Sequence, residues 1–436
     1  MGKPIVMSLI SIMTVTLLAG CAATKEKMSD DGQTAIKQEP VTLKFYTMQN
    51  DNYAKGKEAN FEDEIGRFIK QKFPYVTIEQ VHKPNLEEFV AAGEIPDIIL
   101  DSSINVRARY LEYGLAYNLE DAIKKNKFDL SRINPVLIEQ VKAYAGDSKL
   151  YALPFTITNF ITYYNKSLFD QFGVSYPKDG MSWDDVYDMT KKMTRTSEGV
   201  QYVGLAAHNG LMFRYNQLSA DVLDATGLKE KVSASTEWQK LFQNFKRFYE
   251  IPGNPYTAVD DFPKGKQAMV VHVSEKLTLW PQQAQDLKWD VIAAPAFNEK
   301  PKVGLQPNTY SLYLMGASKH KDVAFQVIAS LLSDEVQTYL SKKGYGTPLL
   351  NNEVQKVVGQ SIAGLEGKNV YNSLYYNNYA DAPKPRAPGV VVITGDSGST
   401  FFENMLKNGE DINTALRKWG EDIDKKVTAA KEAKGK

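Results

Sequence analysis

The chain has 436 residues, enough for at least two domains that bury a large core. Its 52 Lys and Arg residues balance its 52 Asp and Glu residues, so the overall charge favours neither a nucleic acid nor an anionic membrane surface as the partner. The four histidines are isolated in the sequence and there is one cysteine, which argues against the usual zinc and disulfide frameworks. We therefore expect no metal centre and no cofactor.

The amino end has the pattern of a secretory signal. Lys3 precedes an apolar run from Ile5 to Leu18, which is too short to span a membrane as a helix. The run closes with Leu-Ala-Gly-Cys at residues 18–21, which resembles a bacterial lipobox. The resemblance implies cleavage before Cys21 and a lipid anchor on its sulfur, and a lone thiol in a secreted chain has no internal partner. We predict a signal peptide over residues 1–20 and a lipidated, flexible tether over 21–40.

Strand and helix patterns alternate in the next segment. Strands are predicted at Val41–Tyr46, Val76–Val81 and Pro96–Asp101, and apolar residues recur at helical spacing from Phe61 to Phe73. In open α/β sheets, ligands lie beyond the carboxyl ends of the strands. This rule points to four residues as ligand contacts, with a loop or helix-cap role as the alternative for each: Gln49, Asn50, Asp101 and Ser102.

Residues Tyr151 to Asn165 have the composition of one extended strand, since β-branched and aromatic residues dominate and no charge interrupts them. Asn165-Lys-Ser-Leu-Phe169 and Ser182-Trp-Asp-Asp185 follow. These segments resemble the extracellular solute-binding proteins of ABC importers, family 1, whose run Y-x-L-P…Y-N-K-x-L-F…T-W-x-E crosses from one lobe into the other. The resemblance implies an α/β, periplasmic-binding-protein-like fold, with two α/β lobes joined by a multi-strand hinge.

Later motifs extend the resemblance over most of the chain. Phe262–Met269 matches F-x-x-G-K-x-A-M, Trp289–Pro295 resembles the second crossover, and Gly344–Pro348 resembles the third. The implied lobe 1 comprises residues 41–155 and 294–345, and the implied lobe 2 comprises 156–293 and 346–436.

The chain departs from the family after the strand that ends at Val273. Many sugar binders place a Trp there that stacks on a sugar ring, whereas this chain has Ser-Glu-Lys and its Trp comes later. Two replacements are open: Trp280 stacks from a shifted loop, or Glu275 forms hydrogen bonds instead.

Further ligand contacts are expected near the crossovers and in the carboxyl-terminal part. The Tyr- and Asn-rich stretch at residues 369–379 has no helical periodicity, and Val390–Ile393 has the pattern of a short strand. A capping box of Thr400 and Glu403 predicts a helix over Phe401–Leu406. The remaining contact residues are Asn159, Asn308, Tyr310, Tyr345, Tyr375, Tyr376, Arg386 and Asp396.

The resemblance implies a monomeric, lipid-anchored receptor that binds a carbohydrate, in first place an oligosaccharide, and delivers it to the transmembrane subunits of an ABC permease. The anchor favours the outer face of a Gram-positive-type cell, and a periplasmic inner-membrane anchor stays open. A carbohydrate-active enzyme, an inert adhesin and a ferric-iron binder using Tyr375 and Tyr376 are the alternatives. His208 and the Gly-Asp-Ser-Gly stretch around Ser397 are similar to serine-protease segments, but they lack the flanking residues of those enzymes. We expect no catalytic residues.

Overall fold

The computed structural model describes residues 39–47, 65–81, 86–384 and 392–434, and those from Pro40 onward form one compact unit. The strands are β1 Val41–Thr47, β2 Val76–Gln80, β3 Ile98–Ser102, β4 Ala152–Thr158, β5 Phe160–Asn165, β6 Arg195–Ser197, β7 Val200–Ala207, β8 Gln267–Val273, β9 Trp289–Ala293 and β10 Asn308–Leu314.

The helices are α1 Arg67–Lys72, α2 Leu86–Ala92, α3 Glu120–Lys125, α4 Pro135–Ala145, α5 Lys166–Phe172, α6 Trp183–Met193, α7 Asn209–Arg214, α8 Thr236–Tyr249, α9 Trp280–Gln283, α10 Lys321–Leu331, α11 Asp334–Lys342, α12 Asn352–Gln355, α13 Val370–Tyr375, α14 Gly398–Asn408 and α15 Ile412–Lys434. Single turns of other helix types lie at Ser103–Asn105, Val106–Leu111, Leu130–Arg132, Val259–Lys264, Ser274–Thr278 and Gly395–Ser397.

Lobe 1 is built on a five-stranded sheet in the order β2-β1-β3-β10-β4. β1 runs parallel to β2 and β3, whereas β10 runs antiparallel to β3 and β4. β3 and β4 are apolar and buried along almost their whole length, as strands covered on both faces should be. The sheet and the helices around it share one hydrophobic core, which includes Phe45, Ile99, Leu153, Leu312 and Phe325.

Lobe 2 is built on a second five-stranded sheet in the order β6-β7-β8-β5-β9. Side chains alternate between the two faces of a strand, and this sheet has a separate core on each face. In β5, Tyr164 packs with Trp183 and Phe169, whereas the neighbouring Tyr163 packs with Trp280 on the opposite side. Both faces are therefore covered.

The segment predicted as one strand is two strands in two different sheets. β4 pairs with β10 up to Thr158, and β5 pairs with β8 and β9 from Phe160 onward. The chain therefore changes lobe at Asn159. Within the described residues it returns after Leu305, which packs in the core of lobe 2, and it leaves lobe 1 again after Leu349. We propose these three points as the lobe boundaries, in place of those implied by the resemblance.

Local structure differs from the predictions mainly in the carboxyl-terminal part. A capping box is present at the start of α6, formed by Ser182 and Asp185. α14 instead begins at Gly398, so the capping box of Thr400 and Glu403 is wrong. The stretch predicted to lack periodicity contains the short helix α13, and residues 392 and 393 of the predicted short strand are irregular.

Within the described part of the chain, no helix combines the length and apolarity that a membrane crossing needs. The same residues contain no group of three or more His, Cys, Asp and Glu side chains that could hold a metal ion.

Candidate functional site

A cleft with about 690 Å³ of open space lies between the two lobes. One wall comes from lobe 1, from the turns after β3 and from the end of α4. The other wall comes from lobe 2, from α7, the loop after it and the segment before α14. The lining residues are Ile104, Arg107, Ala143, Tyr144, Arg214, Ser219, Ala220, Asp221, Val222, Gln306, Pro383, Lys384, Val392, Ile393, Thr394 and Gly395.

The lobe 1 wall is shaped by Asp101 at the carboxyl end of β3. This carboxylate is 4% exposed and accepts hydrogen bonds from the Tyr110 hydroxyl at 2.8 Å, from Asn105 Nδ2 at 2.9 Å and from the Ser102 amide at 2.7 Å. Burial raises the pKa of Asp101 above its ordinary value, although these bonds and nearby Arg109 favour the charged form. Its partners lie within the protein, so Asp101 holds the turns that carry the wall rather than facing a ligand.

Arg107 lies on one of those turns and reaches the cleft. Its Nε and Nη2 donate to the Ala145 carbonyl oxygen at 3.3 and 3.1 Å, which ties the turn to the end of α4. The guanidinium is thus fixed in place before any ligand arrives. Nothing in the sequence around Arg107 marks it as a site residue, because its position depends on the distant Ala145.

The lobe 2 wall is organised by an ion pair between Arg214, at the end of α7, and Asp396. Asp396 also accepts a hydrogen bond from Thr394. Burial by itself would raise the pKa of Asp396, but the bonds from Arg214 and Thr394 outweigh it and lower the pKa. Gly395 permits this arrangement, since a Cβ there would collide with the Phe213 carbonyl oxygen and the Trp238 ring.

A cluster of side chains crosses between the lobes beside the cleft. The Tyr215 hydroxyl donates to Asn308 Oδ1 at 2.8 Å, and the Arg214 side chain lies beside it. Asn308 opens β10 and is buried, so its predicted polar contact is made inside the protein. Tyr310 and Tyr345 are half-buried against the core of lobe 1 and do not line the cleft.

Asn159 forms hydrogen bonds to several segments where the chain first crosses between the lobes. Its Oδ1 accepts from the Tyr379 hydroxyl at 2.8 Å and its Nδ2 donates to the Leu374 carbonyl oxygen at 3.3 Å. Its backbone N–H donates to Ser274 Oγ at 3.0 Å. With both side-chain atoms occupied and 5% exposure, Asn159 is placed to position the hinge rather than to contact a solute.

Of the two proposed replacements for the stacking Trp, Trp280 is in the core. It is 1% exposed, stacks on Phe262 at 5.0 Å and contacts the edge of Tyr163 at 4.4 Å between centroids. Neither ring face is open, so the predicted stacking contact is wrong for this structure. Glu275 is exposed and accepts from Thr158 Oγ1 at 2.7 Å, which links it to the hinge.

The paired tyrosines have separate environments. The Tyr375 hydroxyl accepts from the Thr347 amide at 3.1 Å. The Tyr376 ring is partly exposed, its hydroxyl lies against Gly180, and Lys302 Nζ lies 5.3 Å from its centroid. Consecutive residues of a helical turn point in different directions. Within the described residues the two hydroxyls have different neighbours, so they do not form one ion site.

Two of the predicted contacts support the cleft walls. Asp101 holds the turns of the lobe 1 wall, and Asp396 pairs with Arg214 in the lobe 2 wall. Gln49, Asn50, Arg386 and the lipidation residue Cys21 lie outside the described residues. The sequence reasoning missed Arg107, Tyr144, Arg214 and Lys384, all of which line the cleft. No local signal distinguishes them, since each lies in an ordinary helix or loop and the folding of distant segments brings them together.

The geometry is that of a two-lobed α/β protein with a cleft between the lobes. The family model for bacterial extracellular solute-binding proteins matches residues 56–338, and the chain belongs to that family. A multiple sugar-binding protein of Streptococcus mutans is 23% identical over 226 residues, which cover 49% of this chain and 46% of that protein. The match therefore spans about half of the relative's length.

Solved structures share the fold over most of the chain. An ABC substrate-binding protein of Listeria monocytogenes in complex with cycloalternan has a TM-score of 0.65 at 18% identity, covering 89% of this chain and 100% of that chain. A cyclic alpha-maltosyl-1,6-maltose binding protein of Arthrobacter globiformis has a TM-score of 0.69 at 16% identity, covering 89% and 99%. At these identities the likeness establishes the fold.

Proposed function

We propose that this protein is the substrate-binding component of an ABC importer. It binds an extracellular carbohydrate, in first place an oligosaccharide, in the interlobe cleft. The observation that carries the proposal is the cleft itself, whose walls come from both lobes of a family member. The named relatives support the proposal, since the Streptococcus mutans protein is a multiple sugar-binding protein, one solved neighbour is in complex with cycloalternan, and the other is a cyclic alpha-maltosyl-1,6-maltose binding protein.

Hinge closure follows from the shared site. A solute that touches both walls interacts more strongly when the lobes are near each other, so it shifts the population toward the closed form. The crossing at Asn159 favours bending because a single residue separates β4 from β5. The closed form would then present a surface to the permease that the open form lacks.

The anchor belongs to the same proposal. The lipobox-like residues 18–21 imply a lipid on Cys21, and the polar stretch up to residue 40 would act as a tether. The protein would work as a monomer on the outer face of the membrane, beside the permease. Palmitate incorporation that is lost in a Cys21→Ser variant tests the anchor.

We favour a binding protein over an enzyme. Ser397 Oγ donates to the Thr394 carbonyl oxygen and accepts from Trp419 Nε1, and His208 Nδ1 accepts from the Leu211 amide. Both side chains have structural partners and they do not bond to each other. The ferric-iron alternative loses its motivation because Tyr375 and Tyr376 do not converge.

Thermal unfolding against a panel of mono- and oligosaccharides, with ferric iron included, tests the proposal. A solute at about 100 times its Kd adds roughly 2.7 kcal/mol to the free energy of unfolding, which raises Tm by several degrees. We expect a shift with one class of saccharide, which chromatography recovers intact. Conversion of the saccharide would establish an enzyme instead, and a shift with iron alone would replace the solute class.

A further inference from the structure

The described lining of the interlobe cleft is richer in basic than in acidic groups. Arg107 lines the cleft from lobe 1, and Arg214 and Lys384 line it from lobe 2, whereas Asp221 is the acidic residue among the lining residues. Asp396 lies behind the wall, paired with Arg214. The chain as a whole has equal numbers of acidic and basic residues, so this local excess of positive charge is not a general property of the surface.

Arg214 has an unused donor. Asp396 accepts from its Nη2 and Tyr215 lies beside the guanidinium, but the buried Nε has no hydrogen-bond partner among the described residues. A buried N–H without an acceptor is costly, and such groups in native proteins usually have a partner, often one supplied by water or a ligand. A small shift of the Arg214 guanidinium as the lobes close would bring its Nε–H within hydrogen-bond distance of an acceptor in the cleft.

The two guanidinium groups belong to opposite lobes. Arg107 is held by the Ala145 carbonyl oxygen, and Arg214 is held by Asp396, so both are oriented before binding. A negative group between them would be attracted to both walls and would therefore favour closure. Arginine is suited to this task, since its planar fork matches carboxylate and phosphate oxygens.

Aromatic stacking, the usual means of holding a neutral sugar, has little support in this wall. All five tryptophans, at positions 183, 238, 280, 289 and 419, are at most 3% exposed. Among the described lining residues, Tyr144 is the single aromatic side chain. Recognition therefore depends more on charge and hydrogen bonds than on ring faces.

We propose that the solute is an acidic carbohydrate, whose carboxylate or phosphate group lies between Arg107 and Arg214, with Lys384 at the rim. This inference rests on the proposed function, since it assigns the solute class to the same cleft. A uronate supplies a carboxylate and a sugar phosphate supplies a phosphate, and both present the anionic oxygens that the two guanidinium groups would recognise.

Calorimetric titration of the full-length chain tests the inference with matched probes. The probes are trigalacturonate against the neutral galactotriose of the same linkage, and glucose 6-phosphate against glucose. We expect one acidic probe to bind at least roughly 10-fold more tightly than its neutral partner, the effect of one charge-assisted hydrogen bond. The probe that binds distinguishes a carboxylate from a phosphate.

Substitutions test which basic residues contact the anionic group of the solute. Arg214→Gln and Lys384→Gln are each expected to weaken the acidic probe, by roughly 10- to 100-fold for Arg214, and Lys431→Gln on the exposed face of α15 is the matched control. If Arg214→Gln does not fold, Lys384→Gln carries the test, because Lys384 is exposed and has no ion pair within the described part of the chain. Equal effects of Lys384→Gln and Lys431→Gln would overturn the assigned location.

The acidic solute and the sugar-binding function can be tested independently of each other. Neutral saccharides that bind as tightly as acidic ones would overturn the acidic solute and leave the sugar-binding receptor standing. Failure of every saccharide, acidic or neutral, would overturn the proposed function itself.

Discussion

At the scale of the residue, burial in the core keeps the side chain of His272 uncharged. It lies in β8, with its ring 5.2 Å from that of His208 and 5.8 Å from that of Trp280. Its Nε2 is 3.4 Å from Asp260, which also pairs with Lys276, and it lacks hydrogen-bond geometry. Burial, followed by the charge of Lys276, lowers the pKa of His272 to about 3. The imidazole is therefore neutral in the folded protein at neutral pH.

We predict that this histidine makes the protein less stable in acid. An unfolded histidine has a pKa of about 6.5, so between about pH 6.5 and pH 3 the unfolded chain binds a proton that the folded chain does not. The contribution of His272 to stability is complete above pH 6.5 and is lost as the pH falls, by about 1.4 kcal/mol per pH unit. Denaturant unfolding between pH 4 and pH 8 measures it.

A His272→Asn variant should show a shallower fall in stability with acid than the unchanged protein. Some slope will remain, because burial also lowers the pKa of His208. The same substitution at the exposed His320 is the matched control. Parallel pH profiles for His272→Asn and the unchanged protein would contradict the assignment.

At the scale of elements, the first turns of α6 and α14 can be compared by one substitution in each. Ser182 Oγ accepts from the Asp185 amide and the Asp185 carboxylate accepts from the Ser182 amide, so α6 has a complete capping box. Thr400 has the same sequence signature but lies within α14, after its start. We predict that Ser182→Ala lowers the free energy of unfolding by about 1 kcal/mol.

Thr400→Ala should leave stability unchanged or raise it by a few tenths of a kcal/mol, since alanine is the better helix former at an exposed position. The denaturant midpoints of the two variants are compared, provided that the free energy of unfolding depends equally on denaturant concentration in both. A loss at Thr400 equal to that at Ser182 would show that Thr400 is the N-cap and that α14 begins at Phe401, three residues later than in this structure.

These helices also show what can be predicted from sequence. The α/β lobes, the crossing near residues 151–165 and the amphipathic α15 follow from periodicity and short motifs, because those signals depend on neighbouring residues. The burial of Trp280 does not follow, because the rings that cover it, Phe262 and Tyr163, come from remote elements. The cleft arginines were missed for the same reason: the turn of Arg107 is fixed by Asp101 and Ala145, and Arg214 by Asp396.

At the scale of the whole molecule, hydrogen bonds near the crossings link one lobe to the other. Thr158 bonds to Glu275, Tyr215 bonds to Asn308, and Tyr375 bonds to the amide of Thr347, each linking one lobe to the other near a crossing. Such contacts can persist while the lobes rotate, because they lie near the axis of bending. The walls that carry Arg107 and Arg214 would move most.

Small-angle X-ray scattering of the full-length chain, with and without a saturating saccharide that raises its Tm, tests the central claim most directly. If the solute bridges both walls of the cleft, the radius of gyration falls on binding, because the population shifts to the closed form. A saccharide that binds at saturation and leaves the scattering curve unchanged would contradict closure around a shared site.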